Sequence, residues 1–211
     1  MILPAINPGL WGMELMSLAN KLYSAKPQYN SKQREIMLNI ARDSILHGLK
    51  NGRPLKVNPE EFGTELQKER ATFVTLNINN KLRGCIGHLE AIQPLIADVA
   101  QNAYQAAFSD PRFSVLRENE FDKLDIHISV LSKPEQIKFK DEKELLNKIQ
   151  PEIDGLILED GINRGTFLPS VWESLPEPQN FLAQLKLKAG LAPNYWSESL
   201  RVSRYNTESF S

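Results

Sequence analysis

The 211-residue chain is poor in cysteine and histidine, with one Cys85 and three histidines. A single cysteine excludes both an intrachain disulfide and a zinc site built from cysteines alone. The chain also lacks an unbroken run of about 18 apolar residues, the length that spans a bilayer. Its first 13 residues contain neither Lys nor Arg and are interrupted by Pro4 and Pro8. We therefore expect no secretory signal peptide, no membrane association and a cytoplasmic location.

A surplus of charge of either sign is missing as well. Lys and Arg total 25 against 26 Asp and Glu, which gives a formal net charge of −1. A dedicated nucleic-acid binder needs an excess of basic side chains to release counterions, so nucleic acid is not an expected partner. Hydrophobic residues make up 41% of the chain and charged residues 24%, which is typical of an ordered globular protein.

Capping residues, turn residues and β-branched runs predict separate helices and hairpins. Asn30 or Ser31 begins a helix that ends at Asn51-Gly52. Residues 71–78 and 81–86 form a hairpin across Asn79-Asn80. The other predicted elements are helices at 10–23, 94–107, 141–149 and 179–189, a one-turn helix at 59–61, strands at 124–130 and 200–209, and a second hairpin at 154–168.

This order of elements predicts an α+β fold rather than a repeated βαβ pattern. We expect an antiparallel sheet with flanking helices, in one unit or in a larger and a smaller lobe. Residues 1–30 are interpreted as an N-terminal extension that packs on a domain formed by residues 31–211.

Side-chain alternation in two strands suggests a cysteine-centred site. In residues 81–86, Leu82, Gly84 and Ile86 are expected on one face, with Arg83 and Cys85 on the other. In residues 124–130, the polar face carries Asp125, His127 and Ser129. If these strands are neighbours, His127 lies near Cys85 and Arg83.

Our first hypothesis makes Cys85 a nucleophile. Arg83 would stabilise its thiolate, and His88 or His127 would act as the base. The alternative is that Cys85 is a small buried hydrophobic residue that packs between strand and helix. A second hypothesis is a metal site formed by Cys85, His88 and His127 with a carboxylate such as Asp110 or Asp125, although the spacing is not a zinc signature.

Three arginines stand beside glycine or proline, where backbone donors and a guanidinium can together bind a carboxylate or phosphate. A structural role is the alternative, in which Asp110 and Arg112 staple a turn through a local salt bridge. The residues assigned to ligand binding are Arg83, Gly84, Gly87, Asp110, Arg112 and Arg164.

Six motifs in sequence order resemble those of one family. They include Leu82-Arg-Gly-Cys-Ile-Gly87, Ala107-Phe-Ser-Asp-Pro-Arg-Phe113, Ile128-Ser-Val-Leu131, Phe167-Leu-Pro-Ser-Val-Trp172, Phe181-Leu182 and Lys188-Ala-Gly-Leu191. The chain from about Ser31 onward resembles the AMMECR domain family, and within it the bacterial and archaeal branch known as AmmeMemoRadiSam system protein A.

The resemblance implies an α+β fold with two unequal lobes, and a groove lined by the Arg-Gly-Cys-Ile-Gly segment. It also implies a functional link to Memo-like and radical-SAM proteins, but no established reaction and no named cofactor. The chain departs from the family pattern at His88, His127 and Lys186, where the family usually has a small hydroxyl residue, an acidic residue and often a cysteine.

These inferences together predict an accessory enzyme whose groove contains Cys85, His88 and His127 as catalytic residues. The alternative is a non-catalytic adaptor that binds a protein segment or an anionic ligand in the same groove.

Overall fold

Two antiparallel four-stranded sheets form the framework of residues 27–211, the part of the chain that this computed structural model describes. The helices are α1 (Ser31–Asn51), α2 (Thr64–Gln67), α3 (Leu95–Phe108), α4 (Glu118–Phe121), α5 (Glu142–Lys148) and α6 (Pro178–Lys188), with 3-10 turns at Pro59–Glu61 and Pro169–Glu173. The strands are β1 (Thr72–Ile78), β2 (Lys81–Gly87), β3 (Asp125–Leu131), β4 (Glu135–Ile137), β5 (Gly155–Asp160), β6 (Asn163–Phe167), β7 (Arg201–Tyr205) and β8 (Thr207–Phe210).

The larger lobe contains the sheet of order β2-β1-β3-β8, with α1 and α3 packed on one of its faces. Helix α1 begins as the sequence predicts, because the Asn30 side chain accepts a hydrogen bond from Gln33 N, and Gly52 follows it in the left-handed conformation. The core between helices and sheet is mostly aliphatic. It includes Met37, Ala41, Ile45, Val74, Leu76, Val99, Ala103, Ile126 and Ile128.

The smaller lobe contains the sheet of order β4-β7-β5-β6, with α5 and α6 packed against it. Aromatic side chains fill much of this second core. Trp172 and Phe181 stack with ring centroids 3.7 Å apart, and the Trp172 indole donates a hydrogen bond to Asp154 O.

A small apolar cluster, here called the junction cluster, joins the lobes. The main chain passes between them after β3 and again at Asn206, the single residue between β7 and β8. The cluster consists of Ala71, Leu131, Ile157 and Tyr205, with Phe73, Leu89 and Leu168 packed against them.

The α+β prediction, with an antiparallel arrangement and flanking helices, is confirmed. One predicted strand, at 200–209, is instead two strands in different sheets, because the chain changes lobes at Asn206. The predicted helix at 10–23 lies outside the described residues, so the packing of an N-terminal extension stays a prediction. Within residues 27–211, no helix combines the length and the apolar character that crossing a membrane requires.

The predicted faces of β2 are wrong at Leu82. Register shifts between Leu76 and Asn77, so that Leu76 pairs with Gly84 while Asn77 pairs with Leu82, and Arg83 is the extra residue. Such a bulge breaks the two-residue alternation. Leu82 therefore shares a face with Cys85 rather than with Gly84, and its side chain is 43% exposed.

Candidate functional site

Cys85, Thr75 and His127 form one row across the larger sheet. Thr75 in β1 is paired with Cys85 on one side and with His127 on the other, so all three side chains lie on the face opposite to Val74 and Leu76. The cysteine hypothesis required β2 and β3 to be neighbours so that His127 would lie near Cys85, and they are not neighbours. With β1 between them, the Cα atoms of Cys85 and His127 lie about 10 Å apart.

The Cys85 thiol is half-buried and accepts a hydrogen bond from Thr75 Oγ1 at 3.2 Å. This contact follows from pairing, since directly opposed side chains of an antiparallel pair are close enough to bind. The thiol is thus neither packed out of reach in the core nor directly paired with a histidine.

The backbone of Cys85 is closed off by Asp110 and Arg112. β2 is an edge strand, and the outward N–H of Cys85 donates to Asp110 Oδ2 at 2.9 Å while its carbonyl accepts from Arg112 Nη2 at 3.2 Å. Arg112 also binds both carboxylate oxygens of Asp110. The turn staple considered as the structural alternative is therefore present, and it covers the open sheet edge.

The Asp110 carboxylate and the Arg112 guanidinium attract each other strongly, because Asp110 is almost fully buried. Hydrogen bonds from the Arg112 side chain, aided by the Cys85 and Arg112 backbone N–H groups, hold the pKa of Asp110 well below its usual range against the effect of burial. The same ion pair raises the pKa of Arg112, and Cys85 adds to that shift. The Arg112 side chain as a whole is 55% exposed, so it can contact solvent or a ligand beside Cys85.

The two other arginines are occupied by carboxylates. Arg83 donates from Nε to Glu120 at 2.8 Å and from Nη2 to the Ser114 carbonyl at 2.9 Å, and this lowers the pKa of Glu120. Arg164 in β6 forms a 2.5 Å ion pair with Glu90 across the lobes. Neither guanidinium joins the Cys85 row in this arrangement.

Gly84 and Gly87 are required by close packing. A β-carbon on Gly84 would overlap the carbonyl oxygen of Ala106 in α3, and one on Gly87 would overlap the carbonyl oxygen of Thr72. Both glycines therefore let β2 approach its neighbours closely.

His88 belongs to a buried polar network rather than to the Cys85 row. Its Nε2 lies 2.7 Å from Asp98 Oδ1, and its Nδ1 lies 2.6 Å from Glu90 O. Both nitrogens face oxygen acceptors, so both contacts are hydrogen bonds only in the doubly protonated ring. Asp98 is fully buried and also accepts hydrogen bonds from Gln93, Thr72 and Asn102.

His127 is paired on the open face of the sheet. Its Nε2 lies 2.7 Å from Asp125 Oδ2, and the two side chains are 40% and 54% exposed. Nδ1 makes no hydrogen bond with any residue in the range 27–211. His127 thus has one nitrogen oriented by a carboxylate and the other available to a ligand.

Two sets of residues at these sites were not predicted from the sequence. Thr75 was not predicted to touch the thiol, although alternation in β1 places it on the polar face. Asp98 and Asn102 were missed too, although they are polar residues four apart on the buried and otherwise apolar face of α3. The metal hypothesis fails on geometry, because no group of three His, Cys, Asp or Glu side chains in residues 27–211 is arranged to hold an ion.

Comparisons with known proteins place the chain in a family. The AMMECR1 family model matches residues 38–210. A protein of Thermococcus onnurineus is 40% identical over 187 residues, which cover 83% of this chain and 88% of the relative. A protein of Saccharolobus solfataricus is 38% identical, with 85% and 81% covered. The crystal structure of an uncharacterized protein from Pyrococcus horikoshii has a TM-score of 0.71 and 36% identity, with 83% and 89% covered.

The fold and site define a two-sheet α+β protein with a half-buried thiol on an open sheet face. The chain belongs to the AMMECR1 family. The names of these relatives state no activity, so family membership establishes the fold while the chemistry has to be argued from the site.

Proposed function

We propose that the protein is a thiol-dependent enzyme that transfers an acyl group through Cys85. The observation that carries this proposal is the row of Cys85, Thr75 and His127, in which the sulfur accepts a hydroxyl hydrogen bond. Because β1 separates the thiol from His127, the substrate lies across the row rather than beside a preformed Cys–His pair.

Each group in the row has a role in this reaction. The Cys85 thiolate attacks the carbonyl carbon of the substrate, and the S–C bond forms as the bond to the leaving group breaks. His127, oriented by Asp125, gives a proton from Nδ1 to the leaving group. An acceptor hydroxyl, amine or water then attacks the thioester carbon, the S–C bond breaks to release the Cys85 thiolate, and the acceptor's proton returns to His127 Nδ1. Arg112, exposed at the sheet edge, binds an anionic group of the substrate.

The other predicted site residues position the reacting groups and do not contact the substrate in this arrangement. Asp110 holds Arg112 and the Cys85 backbone, while Gly84 and Gly87 set the position of β2. Arg83 and Arg164 are held by Glu120 and Glu90, and His88 is held by Asp98, although Arg83 Nη1 has no hydrogen-bond partner among residues 27–211. These remain assignments that mutagenesis has to test.

The cellular role that we propose follows the sequence resemblance. Similarity to AmmeMemoRadiSam system protein A supports a cytoplasmic accessory enzyme that acts alongside Memo-like and radical-SAM proteins. Co-purification of the native protein from its own cells tests this role, and the absence of both partner classes contradicts it.

Alkylation of the single cysteine tests the catalytic proposal. Treatment with iodoacetamide should give one adduct by mass spectrometry, and Cys85→Ser should give none. We expect Thr75→Val to change the alkylation rate at least about threefold, since it removes the hydrogen bond to sulfur. Ser129→Ala, on the same face but away from the thiol, is the matched control. A native thiol that alkylates only on unfolding would overturn the proposal.

An adaptor is the second candidate, favoured by two exposed apolar side chains near the ion pair between the lobes. Ile92 is 66% exposed and stands two residues from Glu90, and Ile162 is 100% exposed and stands two residues from Arg164. Loss of a co-purifying protein in Ile162→Ser, with unchanged circular dichroism, would favour the adaptor over the enzyme.

A further inference from the structure

We infer that a cavity at the junction of the lobes binds a small organic anion: a phosphate or carboxylate group joined to an apolar body. The cavity has a volume of about 430 Å³, which is within the range of small-molecule sites. Its walls come from residues 68–71 before β1, residues 131–134 after β3, and Leu89 and Ala91.

The walls of this junction cavity are held in place by backbone hydrogen bonds. Lys68 O accepts from Leu95 N at 2.9 Å, and Ala71 O accepts from Leu131 N at 2.9 Å. Ser132 N donates to the carbonyl of Asn206, also at 2.9 Å. Residues on both sides are thus tied to helix α3, to the larger sheet and to the crossing at Asn206, so the cavity is formed before a ligand arrives.

The floor of the cavity is apolar. Ala71 and Leu131 are buried, and Leu89 packs with them in the junction cluster. A ligand that covers this floor removes apolar surface from water, which favours a molecule with a hydrophobic body over a bare inorganic ion.

The rim is basic. Lys68, Arg70 and Lys133 line the cavity together with one acidic residue, Glu69. Lys68 forms an ion pair with Glu65, a residue that does not line the cavity. Lys133 is exposed and forms no ion pair with the described part of the chain. Two cations therefore remain for a ligand.

Arg70 lies between the larger-lobe core and the cavity. Its Nη1 donates to the carbonyl of Glu69, and its guanidinium acts on the buried Tyr29 hydroxyl, opposing the rise in the Tyr29 pKa that burial causes. It forms no ion pair with a carboxylate in residues 27–211, so its positive charge adds to the basic rim.

This cavity is separate from the Cys85 row. Ala71 precedes Thr75 by four residues, which corresponds to about 13 Å along β1. The inference therefore goes beyond the proposed acyl transfer and stands or fails without it.

Titration of the ¹⁵N-labelled full chain tests the inference, with phenyl phosphate, inorganic phosphate and phenol as the three probes. We expect amide shifts centred on Ala71, Leu89 and Leu131, and tighter binding of phenyl phosphate than of either other probe. Shifts centred on Thr75, Cys85 and His127, or no saturable shifts with phenyl phosphate, would overturn it.

Two charge-removing variants give the second test. Lys133→Gln and Arg70→Gln should each raise the Kd for phenyl phosphate about three- to tenfold, because each removes a cation from the site. Lys133 is exposed, so its replacement leaves folding intact. Lys123→Gln, an exposed lysine elsewhere, is the matched control and should leave the Kd unchanged. An unchanged Kd in both cavity variants contradicts the inference.

Discussion

The larger lobe contains two histidine–aspartate pairs with the same 2.7 Å contact and different surroundings. In the His88–Asp98 pair, the carboxylate is fully buried and both ring nitrogens are engaged. In the His127–Asp125 pair, both side chains are at least 40% exposed. The comparison shows that a short His–Asp distance does not by itself identify a catalytic base. What distinguishes the pairs is whether a ring nitrogen is left for a ligand.

Replacing the buried carboxylate should have the largest effect. Asp98→Asn puts an amide NH₂ group against donors that now bind a carboxylate oxygen, and it removes a buried charge from a paired network. We expect the free energy of unfolding to fall by about 3 kcal/mol in urea denaturation. Asp125→Asn, the matched control on the open face, should change it by less than about 0.5 kcal/mol. Equal losses at both positions would break the comparison.

A smaller loss is expected when His88 is replaced. His88→Gln cannot bind Asp98 and Glu90 O with the same geometry, so one buried acceptor loses a donor. We expect a loss of about 1–2 kcal/mol in the same urea experiment. If His88→Gln is as stable as the native protein, the network does not depend on its histidine.

Asp110 should make the stability depend on acid pH. Its folded pKa is depressed, chiefly by Arg112, so its contribution is present above the ordinary pKa of aspartate and is lost as pH falls toward the folded pKa. Between about pH 4 and pH 2, the native protein should lose on the order of 1 kcal/mol more than Asp110→Asn. Asp122→Asn, whose side chain is 94% exposed, is the control. Parallel stability curves for native protein and Asp110→Asn would contradict the prediction.

The smallest change in stability is expected at the open pair. His127→Gln should alter the free energy of unfolding by less than about 0.5 kcal/mol, because exposed ion pairs contribute little. If the proposed function is correct, the same variant loses acyl transfer while remaining folded. A large loss of stability would place His127 with His88, as a structural residue.

Much of the fold could be predicted from the sequence because local signals dominate its elements. Asn30 and Gly52 bound α1 as predicted, and Asn79 and Asn80 have the positive φ angles expected of their tight turn. Alternation in β3 placed Ile126 and Ile128 in the core. These features depend on neighbouring residues, which the sequence displays directly.

Features set by distant contacts were not predictable. The order β2-β1-β3 separates Cys85 from His127, and a register shift in the β1–β2 pairing places Leu82 on the face of Cys85. The pairing of His88 with Asp98 joins a loop to a helix ten residues later. The periodicity of the sequence does not indicate which strands or side chains are neighbours. The residues of the site were therefore easier to predict than the residues that they contact.

The position of β7 has a consequence for how the chain folds. β7 follows β4, β5 and β6 in sequence but lies between β4 and β5 in the smaller sheet, and after Asn206 the chain pairs β8 with β3 of the larger sheet. Neither sheet is complete until residues 201–210 have been synthesised. On the ribosome the nascent chain therefore carries two unfinished sheet edges, and its assembly depends on contacts of high sequence separation.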